Sequence, residues 1–279
     1  MLNALTLTGQ SGKHILGFGR GGTGKTAQIT TLPKPCFVIL TDPPSLETIG
    51  GYDIEYEAFF PDNINTNLAS LAHAAEGRSS QGAVKIGKPE AFDRLNQWLR
   101  EAIDSGFFGK FASIALDSIT ATSDLAMDKI VWLNQRPGWI AALDDYTPIM
   151  NAVYSTIRQL VSALQGKPFY AIAHETAKED KIDVGKMERT LLAIGQLREQ
   201  LPRLFGNGVQ TVAELDLKRQ QRYYFNLLKT PRLPAIKCSF RSLQGKERHD
   251  GTIEDWTRPY EYGLGKLLKE EAALAHKPA

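Results

Sequence analysis

The chain has 279 residues, 42% of them hydrophobic and 23% charged, with a formal net charge of +2. This is the composition of a globular protein long enough to bury a large core, as one elaborated domain or two small ones. No apolar run approaches the ~20 residues of a membrane-spanning helix and the N-terminus carries no signal-peptide pattern, so a cytosolic protein without a membrane partner is expected.

Cys36 and Cys238 both sit in apolar, strand-like runs and read as buried thiols rather than a disulfide framework. The histidines at 14, 73, 174, 249 and 276 show no zinc spacing with them.

In chain order, residues 1–13 are small and polar, a loose lead-in. A short apolar run from His14 then ends in Gly19-Arg20-Gly21-Gly22-Thr23-Gly24-Lys25-Thr26, which fits the phosphate-binding pattern G-x-x-x-x-G-K-[ST]. A polyphosphate has to be surrounded by backbone N–H groups at close range, and glycine reaches the necessary dihedrals with no Cβ in the way. Lys25 is placed to contact the β- and γ-phosphates. Thr26, opening a helix, offers its hydroxyl to Mg²⁺. A rival dinucleotide fingerprint, Gly17-x-Gly19-x-x-Gly22 with Asp42 as ribose acid, leaves Lys25 and Thr26 unexplained.

Residues 36–41 form an unbroken apolar run, as in a strand buried on both faces, and Asp42 stands at its end before Pro43-Pro44. A further strand is expected over 53–60, an exposed loop over 77–89 and an amphipathic helix over 90–103. Residues 111–118 then repeat the motif of an apolar strand ending in an acid, here Asp117. This Walker B pattern brings a carboxylate to the edge of the sheet beside the phosphate loop, where it can hold Mg²⁺.

Helices are expected over 119–134 and 147–165, with an exposed turn at Arg136-Pro137-Gly138-Trp139 between them. Residues 168–173 form another buried strand ending at His174, which reads either as a γ-phosphate sensor or as a hydrogen-bonded structural histidine. Residues 176–190 are dense in both charges and predict a mobile loop, and 191–205 predict a helix. An antiparallel hairpin follows over 209–217 and 222–229, then a short strand over 236–240 and a last helix over 265–276.

From Leu217 to Arg248 there are nine basic residues to one acidic, with Tyr223, Tyr224, Phe225 and Phe240 among them. The mixture suits phosphate contact with base stacking, and equally a hairpin whose outward face is solvated by Lys and Arg.

This order of motifs resembles the RecA-like P-loop ATPases, most closely the short phage ATPases of single-strand annealing and recombination. The resemblance implies an α/β fold with a mostly parallel central sheet flanked by helices and antiparallel strands toward the C-terminus. Residues 14–262 are then the ATPase domain and 263–279 a C-terminal helix and tail. It implies ATP and Mg²⁺ as cofactors, with Gly19, Arg20, Gly21, Gly22, Thr23, Gly24, Lys25 and Thr26 cradling the nucleotide and Thr26 and Asp117 serving the metal. Asp42 falls where these enzymes carry a water-polarising glutamate, one methylene shorter, so either Asp42 or Glu47 takes that role. His174 falls at their γ-phosphate sensor and residues 175–189 at their single-stranded DNA loop. Lys237 and Arg241 fall where such proteins present cations to a neighbour's nucleotide.

The function so implied is an oligomeric ATPase acting on single-stranded DNA in phage-type recombination, with other recombination proteins as further partners and the host cytoplasm as its compartment. The alternatives are a packaging or helicase-type DNA motor, a small-molecule phosphotransferase, and a nucleotide-gated scaffold without turnover.

Overall fold

Three apolar runs without alternation become neighbouring strands in the middle of one sheet, because only a strand covered on both faces can be apolar at every position. The computed structural model describes residues 13–61, 88–135, 141–179 and 187–275. The lead-in up to residue 12, most of the expected loop at 77–89, the Arg136–Trp139 turn and the last four residues lie outside the described residues.

The strands are β1 (His14–Gly19), β2 (Cys36–Leu40), β3 (Glu55–Ala58), β4 (Ser113–Asp117), β5 (Phe169–Glu179), β6 (Met187–Leu191), β7 (Asn207–Leu215), β8 (Gln221–Asn226) and β9 (Arg248–Asp250). They form a nine-stranded sheet in the order β3-β2-β4-β5-β1-β7-β8-β9, with β6 paired to β5. From β3 to β7 the pairings along that path are parallel, while β8, β9 and β6 are antiparallel to their neighbours. The expected α/β fold, a mostly parallel central sheet flanked by helices with antiparallel strands toward the C-terminus, is the one observed.

Alternate residues of the central strands feed two cores. Leu16, Phe18, Ile39 and Leu116 pack with Leu95 and Leu99 of α2 (Ala91–Asp104), Ile119 and Leu125 of α3 (Ile119–Leu133) and Val153, Ile157 and Leu160 of α4 (Tyr146–Ala163). On the opposite face Ile15, Val38, Leu40, Tyr170 and Ile172 pack with Leu264, Leu267 and Leu268 of α5 (Gly263–Ala275). The remaining α1 (Ser45–Ile49) is a short helix following β2.

Several local expectations are corrected. The helix after the phosphate loop is a six-residue 3-10 segment, Thr26–Thr31, because Pro33 drives Leu32 into extended backbone. The expected loop at 176–190 is in its described parts a continuation of β5 and its antiparallel partner β6, and its opposite charges face one another as the Lys178–Glu188 pair at 3.3 Å. Residues 191–205 do not form one helix: β6 ends at Leu191, and only the short turns Leu197–Gln200 and Leu201–Leu204 follow, with Gly195 in left-handed backbone and Pro202 inside the second. Residues 236–240 form no strand but a single bridge between Gly208 and Lys237, and the third antiparallel strand is β9. Cys36 is buried as expected, whereas Cys238 is exposed.

Candidate nucleotide site

β1 and β4 flank β5, and all three run the same way, so Gly19, Asp117 and His174 emerge at one edge of the sheet. The phosphate loop leaves β1 there. Gly22 and Gly24 turn it with φ of +75° and +78°, a left-handed backbone that side chains disfavour. The loop closes one side of a groove of about 300 Å³ whose other walls are Asp42, Ser45, Asp117, His174 and Tyr223.

Thr26 and Asp117 meet in this groove. The Thr26 hydroxyl donates to Asp117 Oδ2 at 2.7 Å, and the Ser45 hydroxyl donates to the same oxygen at 2.8 Å. Asp117 is only 2% exposed, and burial pushes its carboxyl pKa up against the pull of those two hydrogen bonds. Lys25 is 5% exposed; its ammonium donates to the carbonyls of Gly19 at 2.9 Å and Arg20 at 2.6 Å, and burial lowers its pKa. A buried ammonium resting on loop carbonyls and a buried carboxylate holding two hydroxyls are charges without full compensation. A magnesium polyphosphate would supply both missing partners.

The two acid-ended strands are tied together behind the groove. Thr41 N–H and Asp42 N–H both donate to the Asp117 carbonyl, at 2.8 and 3.2 Å, and the Thr41 hydroxyl exchanges hydrogen bonds with Ser118. Asp42 therefore stands beside Asp117 with its side chain half-exposed, 3.7 Å from His174 Nε2. Glu47, the other candidate for polarising water, is exposed on α1, whose Pro44, Ser45 and Thr48 side faces the groove.

The remaining candidates divide. Arg20 turns its side chain away from the groove toward Glu175, 3.8 Å away. Lys237 pairs by backbone with Gly208, opposite Leu16 near the start of β1, so it lies at the far end of the sheet from Lys25. Arg241 lies in a 3-10 turn whose next residue, Ser242, donates its N–H to Glu271 of α5. Neither cation is brought to the groove of its own chain.

Residues that pattern-reading passed over complete the site. Tyr170 is fully buried beneath the loop, and its hydroxyl donates to the Lys25 carbonyl at 3.3 Å. A Cβ on Gly17 would fall 2.5 Å from that hydroxyl, which accounts for the glycine the dinucleotide fingerprint had claimed. Tyr223 of β8 lies against Gly24, where a Cβ would meet its ring at 2.9 Å. Ser45 follows Asp42 by three positions, but only the pairing of β2 with β4 reveals which acid it serves.

No protein-family model and no curated protein sequence matches the chain. Among solved structures it is similar to a KaiC-like protein from the hyperthermophilic archaeon Pyrococcus horikoshii. That likeness is 11% identical, covers 90% of this chain and 88% of that one, and has a TM-score of 0.42. Among the described residues no cluster of three or more His, Cys, Asp or Glu could hold a metal ion, and no helix is long and apolar enough to cross a membrane. One carboxylate with hydroxyls suits Mg²⁺, which relies on substrate phosphates and water for the rest of its shell.

Proposed function

We propose that the protein binds Mg·ATP in this groove, hydrolyses it, and acts on single-stranded DNA as an oligomer in strand annealing or recombination. The observation that carries the nucleotide half is the convergence of Lys25, Thr26 and Asp117. Lys25 would exchange its loop carbonyls for the β- and γ-phosphates, and Thr26 and Asp117 would hold the metal. A magnesium ion held there would supply charge neutralisation to the phosphates. Asp42, beside Asp117 and open to solvent, orients and deprotonates the attacking water. His174, at the root of the β5–β6 hairpin, senses the γ-phosphate.

The DNA half is supported by the basic stretch from Leu217 to Arg248, of which Arg222, Tyr223 and Tyr224 lie on β8 and Arg248 on β9, while Phe225 and Phe240 are buried in the core and offer no stacking face. Lys237 and Arg241, remote from their own groove, are assigned to the nucleotide of a neighbouring subunit. An isolated chain is then a poor ATPase that assembly on DNA activates. Steady-state hydrolysis with Mg²⁺, with and without single-stranded DNA and over a range of protein concentration, tests this. Hydrolysis that rises with DNA and more than linearly with protein is expected; DNA-independent, strictly linear hydrolysis rejects the assembly and DNA roles.

A further inference from the structure

The C-terminal helix α5 begins without a cap of its own. The first N–H groups of a helix have no partner within it, and Tyr262, which precedes Gly263, has no short polar side chain to supply one. The partners come instead from the segment that leaves the phosphate loop. Leu264 N–H donates to Gln28 Oε1 and Gly265 N–H to the Thr31 hydroxyl, both at 3.1 Å, across 236 and 234 positions of sequence. The Thr31 hydroxyl donates in turn to the Gln28 carbonyl at 2.8 Å. The two elements approach so closely that a Cβ on Gly263 would collide with Gln28 Oε1, and one on Gly265 with the Thr31 carbonyl.

Gln28 is 2% exposed and holds a second element at the same time. Its Nε2 donates at 2.7 Å to the carbonyl of Gly251, the residue after β9. Gly251 N–H donates at 2.8 Å to the carbonyl of Tyr223, whose ring lies against Gly24. The phosphate loop is thus gripped at both ends by C-terminal elements, Gly24 under Tyr223 and Gln28 between β9 and α5. His249 closes the circuit, its ring stacked on Phe225 and its Nε2 3.4 Å from the Gly263 carbonyl.

This joint adjoins the nucleotide groove, because Gln28 follows Thr26 by two positions. The Gln28 N–H is shared between the Lys25 carbonyl at 3.1 Å, its 3-10 partner, and the Gly24 carbonyl at 3.3 Å, its α-helical partner. The turn that carries the joint therefore stands between two helical geometries, which rotate a side chain to different directions. A polyphosphate that engages Lys25 and Thr26 fixes that turn, and the side chains of Gln28 and Thr31 with it. A ligand that orders one side of a shared joint lowers the cost of ordering the other.

We propose that Gln28 and Thr31 couple occupancy of the groove to the seating of α5, so that nucleotide tightens the C-terminal helix and the seated helix raises nucleotide affinity. The inference rests on the nucleotide reading of the groove and adds a conformational output to it. The two effects are equal in size, since a coupling between two sites is reciprocal.

The test is hydrogen exchange of the full chain, with and without Mg²⁺ and a non-hydrolysable ATP analogue, alongside titration of a fluorescent nucleotide. In wild type the amides at the start of α5 should exchange about fivefold more slowly or better with nucleotide bound. Those of α2, packed on the opposite face of the sheet, should change less. The double variant Gln28→Met/Thr31→Val keeps both volumes and removes both caps. It should lose the added protection of α5 and bind nucleotide more weakly by the same factor. Should thermal melting show the double variant unfolded, Thr31→Val alone decides by the same loss of protection. Titration that shows binding while α5 is unchanged, or is protected no more than α2, overturns the coupling and leaves the nucleotide reading standing. So does a folded variant with wild-type affinity and wild-type protection. Wild type that binds no nucleotide overturns both.

Discussion

The Thr26 hydroxyl donates to Asp117 Oδ2 at 2.7 Å across 91 residues of sequence. The bond joins the end of the phosphate loop to the end of β4, and Ser45 brings the segment after β2 to the same oxygen. Three strand ends therefore converge on one carboxylate, and removing it should affect metal-dependent binding first.

The pH dependence follows from burial, which raises the Asp117 pKa above its unfolded value. The empty folded chain holds that proton more tightly than the unfolded chain does. This contribution to stability is present at low pH and is lost as pH rises through the raised pKa. Metal binding has the opposite dependence, because Mg²⁺ takes the ionised carboxylate. Magnesium titrations with a fluorescent nucleotide should weaken as pH falls, and should begin to do so above the range of an ordinary aspartate. Asp117→Asn should bind weakly and without that slope; a wild-type titration flat over the same range would contradict the assignment.

Asp42 and Glu47 make separable predictions. Asp42 lines the groove and Glu47 is exposed outside it. Asp42→Asn should lower the hydrolysis rate by about a hundredfold or more with nucleotide affinity little changed, as for loss of a general base. Glu47→Gln should leave both within about twofold, as expected of a surface change. Single-turnover hydrolysis reads the difference, and the reverse pattern would reassign the base.

Gly17 and Tyr170 test the floor of the loop. Gly17→Ala places a methyl 2.5 Å from the Tyr170 hydroxyl and 2.6 Å from its ring, and overpacking of this kind costs about 1–3 kcal/mol. Tyr170→Phe removes only the bond to the Lys25 carbonyl and should cost about 1 kcal/mol. Urea denaturation should rank the two in that order, with Tyr170→Phe unable to rescue Gly17→Ala, because the ring itself remains in the way.

Gly24 and Tyr223 separate strain from collision. Gly24→Ala meets both a φ of +78° and the Tyr223 ring at 2.9 Å. Trimming the ring with Tyr223→Ala should restore part of the nucleotide affinity lost in Gly24→Ala, leaving a residue of about 1 kcal/mol from the left-handed backbone. Complete rescue would show that the dihedral carries no cost there.

Much of this architecture was legible in sequence because its signals are local. The apolar runs of β2, β4 and β5 needed no partner to be recognised, and their terminal Asp42, Asp117 and His174 all line the groove. The failures lie where pairing or backbone overrides composition. Lys178 and Glu188 read as a solvated loop, yet they face each other across two strands. Pro231 and Pro234 precede the segment misread as a strand at 236–240, and the actual third strand, Arg248–Asp250, is polar throughout. Tyr170, Ser45 and Gln28 could not be assigned from neighbours in sequence, since each acquires its role from a residue at least 72 positions away.

The account depends most on the loop and Asp117 forming one magnesium-triphosphate site. Isothermal titration of a non-hydrolysable ATP analogue into wild type, Lys25→Ala and Asp117→Asn, with and without Mg²⁺, tests it directly. Wild type should bind only weakly without magnesium and much more tightly with it. Lys25→Ala should lose at least about thirtyfold in affinity, as for a charge-assisted contact worth about 2 kcal/mol or more, and Asp117→Asn should lose the magnesium dependence. Equal, magnesium-independent binding in all three proteins would contradict it.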